Sequence, residues 1–304
     1  MERPRIPRRD VHGIILLDKP YGVGSNPVLQ RVKRLFQARK AGHTGNLDPL
    51  ATGLLPICLG DATKMSAFLL DADKSYRTVI KLGVKTTTGD AEGAVVAERP
   101  VPGVDEQRIA QVLRRFTGEI EQVPPMFSAI KQNGQPLYKL AQRGIEVERK
   151  PRQITIYRIT LLHFGDGLLE IDVDCSKGTY IRTLAEDIGE VLGCGAHVAG
   201  LHRTRAGPFE AARMVTFDQL EAAAKEGPGR LDALLQPMDS ALAQWPDVLL
   251  AEDTAYFVRR GQAVRVAQAP AGEWVRLYTS QRAFLGVGQV LDDGRVAPKR
   301  LVAV

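Results

Sequence analysis

The chain has 304 residues, of which 44% are hydrophobic and 25% charged, and its net charge is +6 with a pI of about 9.3. This composition is typical of a globular protein of about two domains, and no apolar run is long enough to cross a bilayer. The Arg-rich N-terminus lacks the apolar segment of a secretory signal, so we expect a cytoplasmic protein. Three cysteines without a Cys-x-x-Cys pair predict neither a disulfide framework nor a zinc cluster but packed thiols, namely Cys58, Cys175 and Cys194.

The positive charge is concentrated in the first 40 residues, which contain ten Lys or Arg, Arg3, Arg5 and Arg31 among them, and three acidic residues. The rest of the chain has a balance of −1. Such a region is typical of a surface that binds a polyanion such as nucleic acid. The alternative is a basic helix face that is merely solvated.

The first predicted elements are a buried strand and an amphipathic helix. The apolar run Gly13 to Leu17 ends at Asp18-Lys19-Pro20, which indicates a strand that leads into a loop. Asn26 is suited to cap the following helix and Pro27 to occupy its first position. Apolar residues then recur at helical spacing, and the basic residues lie largely off that stripe.

The stretch Ala41 to Gly53 places one carboxylate, Asp48, in a loop with three glycines. Glycine permits positive φ or a close backbone approach, and Pro49 pushes Asp48 out of the helical region. Asp48 is therefore expected to be held in a fixed orientation. An ordinary Asp-Pro turn at the surface is the alternative.

Two alternating segments predict half-buried strands, Ser75 to Leu82 and Glu170 to Cys175. Between them, Asn133-Gly134 predicts a tight turn. A helix is predicted to follow Thr179 and to end at Gly193, with Arg182 in its first turn. A cation there opposes the helix dipole, so a carboxylate partner from elsewhere in the chain would explain it.

The last third of the chain changes character twice. Residues 216 to 253 contain eight acidic and two basic residues, which suggests a connecting helical region. Trp245-Pro246 marks a plausible boundary, and the short apolar stretches beyond it, separated by glycines, suggest a small β-rich domain. We therefore divide the chain into residues 1–250 and 251–304.

Four segments together resemble the bacterial tRNA pseudouridine synthase B family, TruB. They are Leu17 to Pro20, Gly42 to Pro49, Tyr76, and Lys177 to Leu184. The resemblance spans almost the whole chain. It implies an α+β fold, with a mixed, largely antiparallel central sheet and flanking helices, followed by a small β-rich PUA-like domain that binds RNA.

The resemblance also implies an activity, the isomerisation of uridine 55 in the T-arm of tRNA to pseudouridine without a metal or an organic cofactor. The base must leave its stack to reach the enzyme. Asp48 matches the family's nucleophile, Tyr76 the residue that stacks on the base, and Arg182 the partner of the nucleophile. Tyr180 and Leu201 match positions that line the uridine pocket. His43 matches a residue that enters the space left by the base, and Lys19 belongs to a supporting loop.

Three positions depart from the family pattern, Gly24, Asn46 and His202, and they predict local differences in spacing or hydrogen bonding. Two other functions are consistent with parts of the sequence. An aspartate-dependent glycosidase would need a second acid near Asp48, and no convincing one is evident. An RNA chaperone or assembly factor without catalysis would need only the basic helix and the β-rich tail. We expect a monomer that acts on tRNA, with no membrane association and no obligate protein partner.

Overall fold

The structure is a computed structural model that describes residues 8–101, 103–266, 270 and 273–303. Arg3 and Arg5 of the basic N-terminal region lie outside the described residues. The strands are β1 (Gly13–Lys19), β2 (Ala41–His43), β3 (Thr52–Leu59), β4 (Lys74–Leu82), β5 (Val84–Thr86), β6 (Val95–Glu98), β7 (Gly118–Gln122), β8 (Lys131–Gln132), β9 (Gln135–Pro136), β10 (Arg152–Gly165), β11 (Leu168–Cys175), β12 (Ala196–Ala206), β13 (Phe209–Glu210), β14 (Asp247–Leu250), β15 (Val264–Arg265), β16 (Trp274–Thr279), β17 (Phe284–Val290) and β18 (Arg295–Leu301). The α-helices are α1 (Ser25–Leu35), α2 (Ser66–Leu70), α3 (Glu106–Arg115), α4 (Leu137–Ala141), α5 (Ile181–Leu192), α6 (Phe217–Glu226), α7 (Pro228–Asp232) and α8 (Glu252–Arg259).

The central sheet has the strand order β1-β3-β12-β4-β11-β10-β7, with β2 beside β3 and β13 beside β12. Neighbouring strands are antiparallel except β3 and β12, which run parallel. The expected mixed, largely antiparallel sheet with flanking helices is therefore confirmed. No helix in the described ranges is both long and apolar enough to cross a membrane.

The apolar run of β1, from Ile14 to Leu17, is buried on both faces of the strand. Ile15 and Leu17 pack with α1 and α6 in one core cluster, whereas Ile14 and Leu16 pack in another with residues of the C-terminal sheet. Successive residues of a strand point to opposite faces, so a strand covered on both sides has no polar alternation. A third cluster lies between the sheet and helices α3 and α5.

The start of α1 differs from the prediction. The helix begins at Ser25, and Gly24 is its N-cap residue with no side-chain cap, so Asn26 does not cap it. Ser25 is instead buried, with its Oγ 2.7 Å from the Leu47 nitrogen and 2.9 Å from the Leu47 oxygen. Ser25 therefore links the start of α1 to the loop before Asp48.

The C-terminal sheet has the strand order β14-β16-β17-β18-β15 and includes the expected β-rich region. It packs on the central sheet through three aromatic side chains, of which the Trp245 and Trp274 rings stack with centroids 5.4 Å apart. Phe68 from α2 meets both indoles edge-on. The connecting segment between the two sheets is helical, as predicted. All three cysteines are buried, as expected for packed thiols.

Candidate active site

Asp48 lies in the turn between β2 and β3, where contacts from three segments fix the backbone. The Ala51 nitrogen donates to the Asp48 oxygen at 3.1 Å. The Gly22 nitrogen and the Lys19 ammonium both donate to the Pro49 oxygen, at 2.9 and 3.3 Å. Together with the Ser25 contact to Leu47, these hydrogen bonds hold the carboxylate in one orientation, which is the arrangement expected from the glycines and Pro49.

Arg182 is the side chain in direct contact with the Asp48 carboxylate. Its Nε lies 3.1 Å from Asp48 Oδ2, and the Arg182 side chain is only 7% exposed, whereas that of Asp48 is 34% exposed. The remaining guanidinium nitrogens donate to the backbone oxygens of Thr88 at 3.0 Å and Phe127 at 2.7 Å. The carboxylate partner that the helix position required is therefore present, and two backbone oxygens also accept hydrogen bonds from the buried cation.

A second carboxylate, Asp90, reaches the same arginine and was missed by the sequence analysis. Asp90 Oδ2 lies 3.6 Å from Arg182 Nη1, and the side chain is 5% exposed. Its other oxygen accepts from the Thr88 hydroxyl at 2.5 Å and the Glu92 nitrogen at 3.1 Å. The structure thus places a second acid beside Arg182, the partner of Asp48. Because Asp90 is buried and already bonded on both oxygens, however, it is not placed as an acid catalyst for a glycosidase.

Burial raises the pKa of the Asp48 carboxyl above its ordinary value, since the charged form loses hydration. The Arg182 charge lowers this pKa, the Asp90 charge raises it, and the Lys19 charge lowers it. The net direction is upward. The ion pair with Arg182 thus offsets only part of the effect of burial on the pKa of Asp48. The sequence alone does not show which of these two effects is larger.

The two aromatic residues of the resemblance lie on neighbouring elements. Tyr76 is on β4 and packs against the two core clusters that flank the sheet. Tyr180 is the N-cap residue of α5, and the buried Gln122 side chain holds its backbone through bonds of 3.0 Å to its nitrogen and 3.3 Å to its oxygen. Burial raises the pKa of both phenols, and the charge of Asp48 raises it further. Both phenols therefore lie within electrostatic reach of Asp48.

Three further residues of the resemblance, Leu201, His43 and Lys19, lie around the Asp48 turn. Leu201 on β12 packs against the same two clusters as Tyr76. His43 ends β2, its Nδ1 is buried without a hydrogen-bond partner, and burial lowers its pKa. The Lys19 ammonium donates to the oxygens of Pro20 at 2.8 Å and Val23 at 2.5 Å, and burial lowers its pKa to about 8. These contacts suit a supporting role.

The three departures from the family pattern leave the Asp48 turn intact. Gly24 caps α1 through its backbone alone, and Asn46 is exposed. The His202 Nδ1 lies 2.8 Å from the Thr52 hydroxyl. His202 and Thr52 line a cavity of about 400 Å³ that also contacts Lys19 but is not lined by Asp48 or Tyr76. That cavity is therefore not a pocket for a base reacting at Asp48.

The basic N-terminal region is partly neutralised by the acidic connecting region. Arg31 on α1 pairs with Glu221 on α6, and its guanidinium lies over the Phe217 ring at 4.0 Å. Arg9 pairs with Asp232 on α7. The uneven distribution of charge along the sequence thus partly reflects ion pairs within the fold, and these two arginines are not available as unpaired cations for a polyanion.

Comparison with known proteins agrees with this fold. The family model for TruB family pseudouridylate synthase (N-terminal domain) matches residues 33–181, that for the tRNA pseudouridylate synthase B C-terminal domain matches residues 182–243, and that for pseudouridine synthase II TruB, C-terminal, matches residues 246–302. The tRNA pseudouridine synthase B of Nitrosococcus oceani is 57% identical over 98% of this chain and 97% of its own length. That of Pseudomonas aeruginosa is 55% identical over 97% of each.

A solved structure of a complex of Cbf5, Nop10 and Gar1 contains a chain with the same fold. The TM-score is 0.75 at 28% identity, over 95% of this chain and 84% of that one. The fold and these matches define a pseudouridine synthase, which is an isomerase. More particularly, the chain belongs to the TruB family of pseudouridylate synthases, as the resemblance implied.

Proposed function

We propose that this protein isomerises uridine 55 in the T-arm of tRNA to pseudouridine, with Asp48 as the nucleophile. The observation that carries the proposal is the Asp48 carboxylate itself, which is one-third exposed on a fixed turn and lies 3.1 Å from Arg182. The tRNA substrate is supported by the relatives, which are named tRNA pseudouridine synthase B and match over nearly their whole length.

The chemistry asks a carboxylate to form and then lose a covalent bond. The N-glycosidic bond of uridine breaks, the uracil turns within the pocket, and a carbon-carbon bond forms to the same sugar. Asp48 adds either to the sugar carbon or to the uracil ring and is released at the end, so the reaction consumes no other reactant. The carboxylate must be ionised to act, and Arg182 favours that form against the effect of burial.

The surrounding residues would bind and retain the everted nucleotide. Tyr76 stacks on the base, and Tyr180 and Leu201 line the pocket. His43 fills the space that the nucleotide leaves, and burial favours its neutral form because it lowers the pKa. Lys19 supports the Asp48 turn, since its ammonium bonds three backbone oxygens.

Binding energy must offset the cost of base eversion, which is a few kcal/mol. We propose that the C-terminal β-rich domain and the unpaired part of the basic N-terminal region contribute phosphate contacts. A division after residue 250, as the sequence suggests, would separate β14, which begins at Asp247, from the C-terminal sheet in which it pairs with β16. We place the division just before that strand. The enzyme would act as a monomer without a protein partner.

The test is mass-spectrometric mapping of pseudouridine in tRNA after incubation with wild-type protein, Asp48→Asn or Asp292→Asn. Asp48→Asn should give no product yet bind tRNA with an affinity within about one order of magnitude of wild type, because it removes the nucleophile but almost no volume. Asp292→Asn changes an exposed loop residue and should leave the product unchanged. Turnover by Asp48→Asn would refute the nucleophile, and wild-type protein that binds tRNA without forming product would favour the RNA chaperone.

A further inference from the structure

Arg203 on β12 is a buried arginine close to the Asp48 turn. Its exposure is 1%, and in the part of the chain that the structure describes no carboxylate oxygen lies within 4.0 Å of its guanidinium. Arginine stays protonated in proteins, and a buried charge without a counter-ion is costly. Packing alone does not explain why an arginine occupies this buried position.

The Arg203 guanidinium bonds two backbone segments that are distant from β12 in the sequence. Its Nε donates to the Leu54 oxygen of β3 at 2.7 Å, and its Nη2 donates to the Gly45 oxygen at 3.4 Å. Gly45 has a φ of +116°, and a Cβ at that position would lie 3.4 Å from Arg203 Nη1. Glycine adopts this positive φ without strain, and the Gly45 backbone can therefore lie against the Arg203 guanidinium. Gly45 precedes Asp48 by three residues, so Arg203 anchors the start of the catalytic turn.

The sheet register places the same arginine beside Tyr76. Arg203 is the cross-strand partner of Tyr76 on β4 and of Gly53 on β3. Directly opposed residues of a sheet share a face, so the side chains of Arg203 and Tyr76 leave the sheet on the same face. A Cβ on Gly53 would lie 2.5 Å from the Arg203 oxygen, and this glycine therefore permits the close approach of β3 and β12.

The charge of Arg203 acts on the ionisable groups around it. Burial raises the pKa of Tyr76, the Arg203 charge lowers it, and the charges of Cys175 on β11 and of Asp48 raise it. Burial lowers the pKa of His43, Lys74 and Lys19, and the Arg203 charge lowers each of these pKa values further.

We propose that Arg203 is a positioning residue of this active site. It ties the Gly45 end of the Asp48 turn to β3, and it provides the positive charge beside which the Tyr76 phenol lies. The consequence for turnover rests on the proposed function. The electrostatic part does not, because it can be measured in the free protein.

The first experiment replaces Tyr76 with 3-fluorotyrosine and titrates the ¹⁹F resonance of the protein without RNA. The variants are Arg203→Met, which keeps the bulk but removes the charge, and Arg203→Lys, which keeps the charge. Arg203→Met should shift the pKa at position 76 upward, whereas Arg203→Lys should leave it near the wild-type value. Arg205→Met is the matched control, because Arg205 lies on the same strand and its Nε bonds the Ser75 hydroxyl at 2.9 Å instead.

The second experiment measures kcat for pseudouridine formation and tRNA affinity in the same variants. Arg203→Met should lower kcat about 100-fold with little change in affinity, since a displaced nucleophile weakens the chemical step and not the binding of the RNA. Arg203→Lys should also lower kcat, because an ammonium cannot reach both backbone oxygens as the planar guanidinium does.

A wild-type value of kcat or of the pKa at position 76 in Arg203→Met would overturn the proposal, because a residue needed only for packing would change neither in a folded variant. Thermal denaturation establishes that each variant is folded. If Arg203→Met fails to fold, Arg203→Lys decides, and an unchanged kcat in that variant overturns the proposal. Wild-type protein without activity would instead count against the proposed function and leave the titration result standing.

Discussion

At the scale of single residues, the site depends on how carboxylates share one arginine. Arg182 contacts Asp48 through Nε and approaches Asp90 through Nη1, and its Nη1 and Nη2 each donate to one backbone oxygen. Two carboxylates therefore share one guanidinium in a largely buried space. Asp90 acts on Asp48 in two ways, since its charge raises the pKa of the nucleophile and it competes for the same cation.

This arrangement makes a prediction for Asp90→Asn. Removing the Asp90 charge should lower the pKa of Asp48, because one cause of its upward shift disappears and Arg182 is left with a single partner. Under the proposed function Asp48 acts in its ionised form, so the acidic limb of kcat/KM against pH should move to lower pH. Glu98→Gln, which removes an exposed charge at the end of β6, is the control. An acidic limb that stays in place, or moves upward, would contradict this account of the site.

At the scale of elements, α5 is the helix that positions Arg182, and its distance from β12 is set by Gly189. A Cβ on Gly189 would lie 2.4 Å from both the Ala196 nitrogen and the Gly195 carbonyl carbon. The Gly189 oxygen also accepts from the nitrogens of Cys194 at 3.1 Å and Gly195 at 2.9 Å. The turn after the helix thus folds back against this glycine, where any side chain would push helix and strand apart.

We therefore expect Gly189→Ala to lower the free energy of unfolding by about 3 kcal/mol, since backbone atoms cannot make room for the methyl group. Alanine is otherwise the better helix former, and at Gly229 on α7, where a Cβ would meet nothing within 4 Å, the same change should stabilise by up to about 1 kcal/mol. Urea unfolding of the two variants provides the measurement. Equal effects at the two glycines would show that the close approach to β12 is not needed.

At the scale of the whole molecule, the central sheet and the C-terminal sheet contribute side chains to one shared hydrophobic core. One cluster contains Ile14 and Leu16 of β1 together with Val287 of β17 and Val302 after β18. The Lys64 ammonium donates to the Leu301 oxygen at 2.8 Å, so polar contacts reinforce the apolar ones. Unfolding of the C-terminal sheet would expose one face of β1, and we expect the wild-type protein to unfold in one cooperative transition.

Trp274→Ala tests this coupling. It removes the indole that stacks on Trp245 and meets Phe68, and it should cost about 3 kcal/mol and separate the calorimetric transition into two. Tyr256→Ala is the control, because Tyr256 is an exposed aromatic on α8. A single transition in Trp274→Ala, with the calorimetric and van't Hoff enthalpies still equal, would show that the sheets are coupled by other contacts.

The sequence by itself determined the strands β1, β4 and β11, the helix α5 with its end at Gly193, and the family, because these depend on periodicity, on local turn residues and on ordered motifs. It also indicated that Arg182 needed a carboxylate. The folded chain alone shows that Asp90 shares that arginine, that Ser25 bonds the loop before Asp48, and that Arg31 and Arg9 pair with the acidic connecting region. The physical reason is that these contacts join residues distant in sequence, and the pKa of Asp48 depends on burial and on charges that only the folded chain brings together.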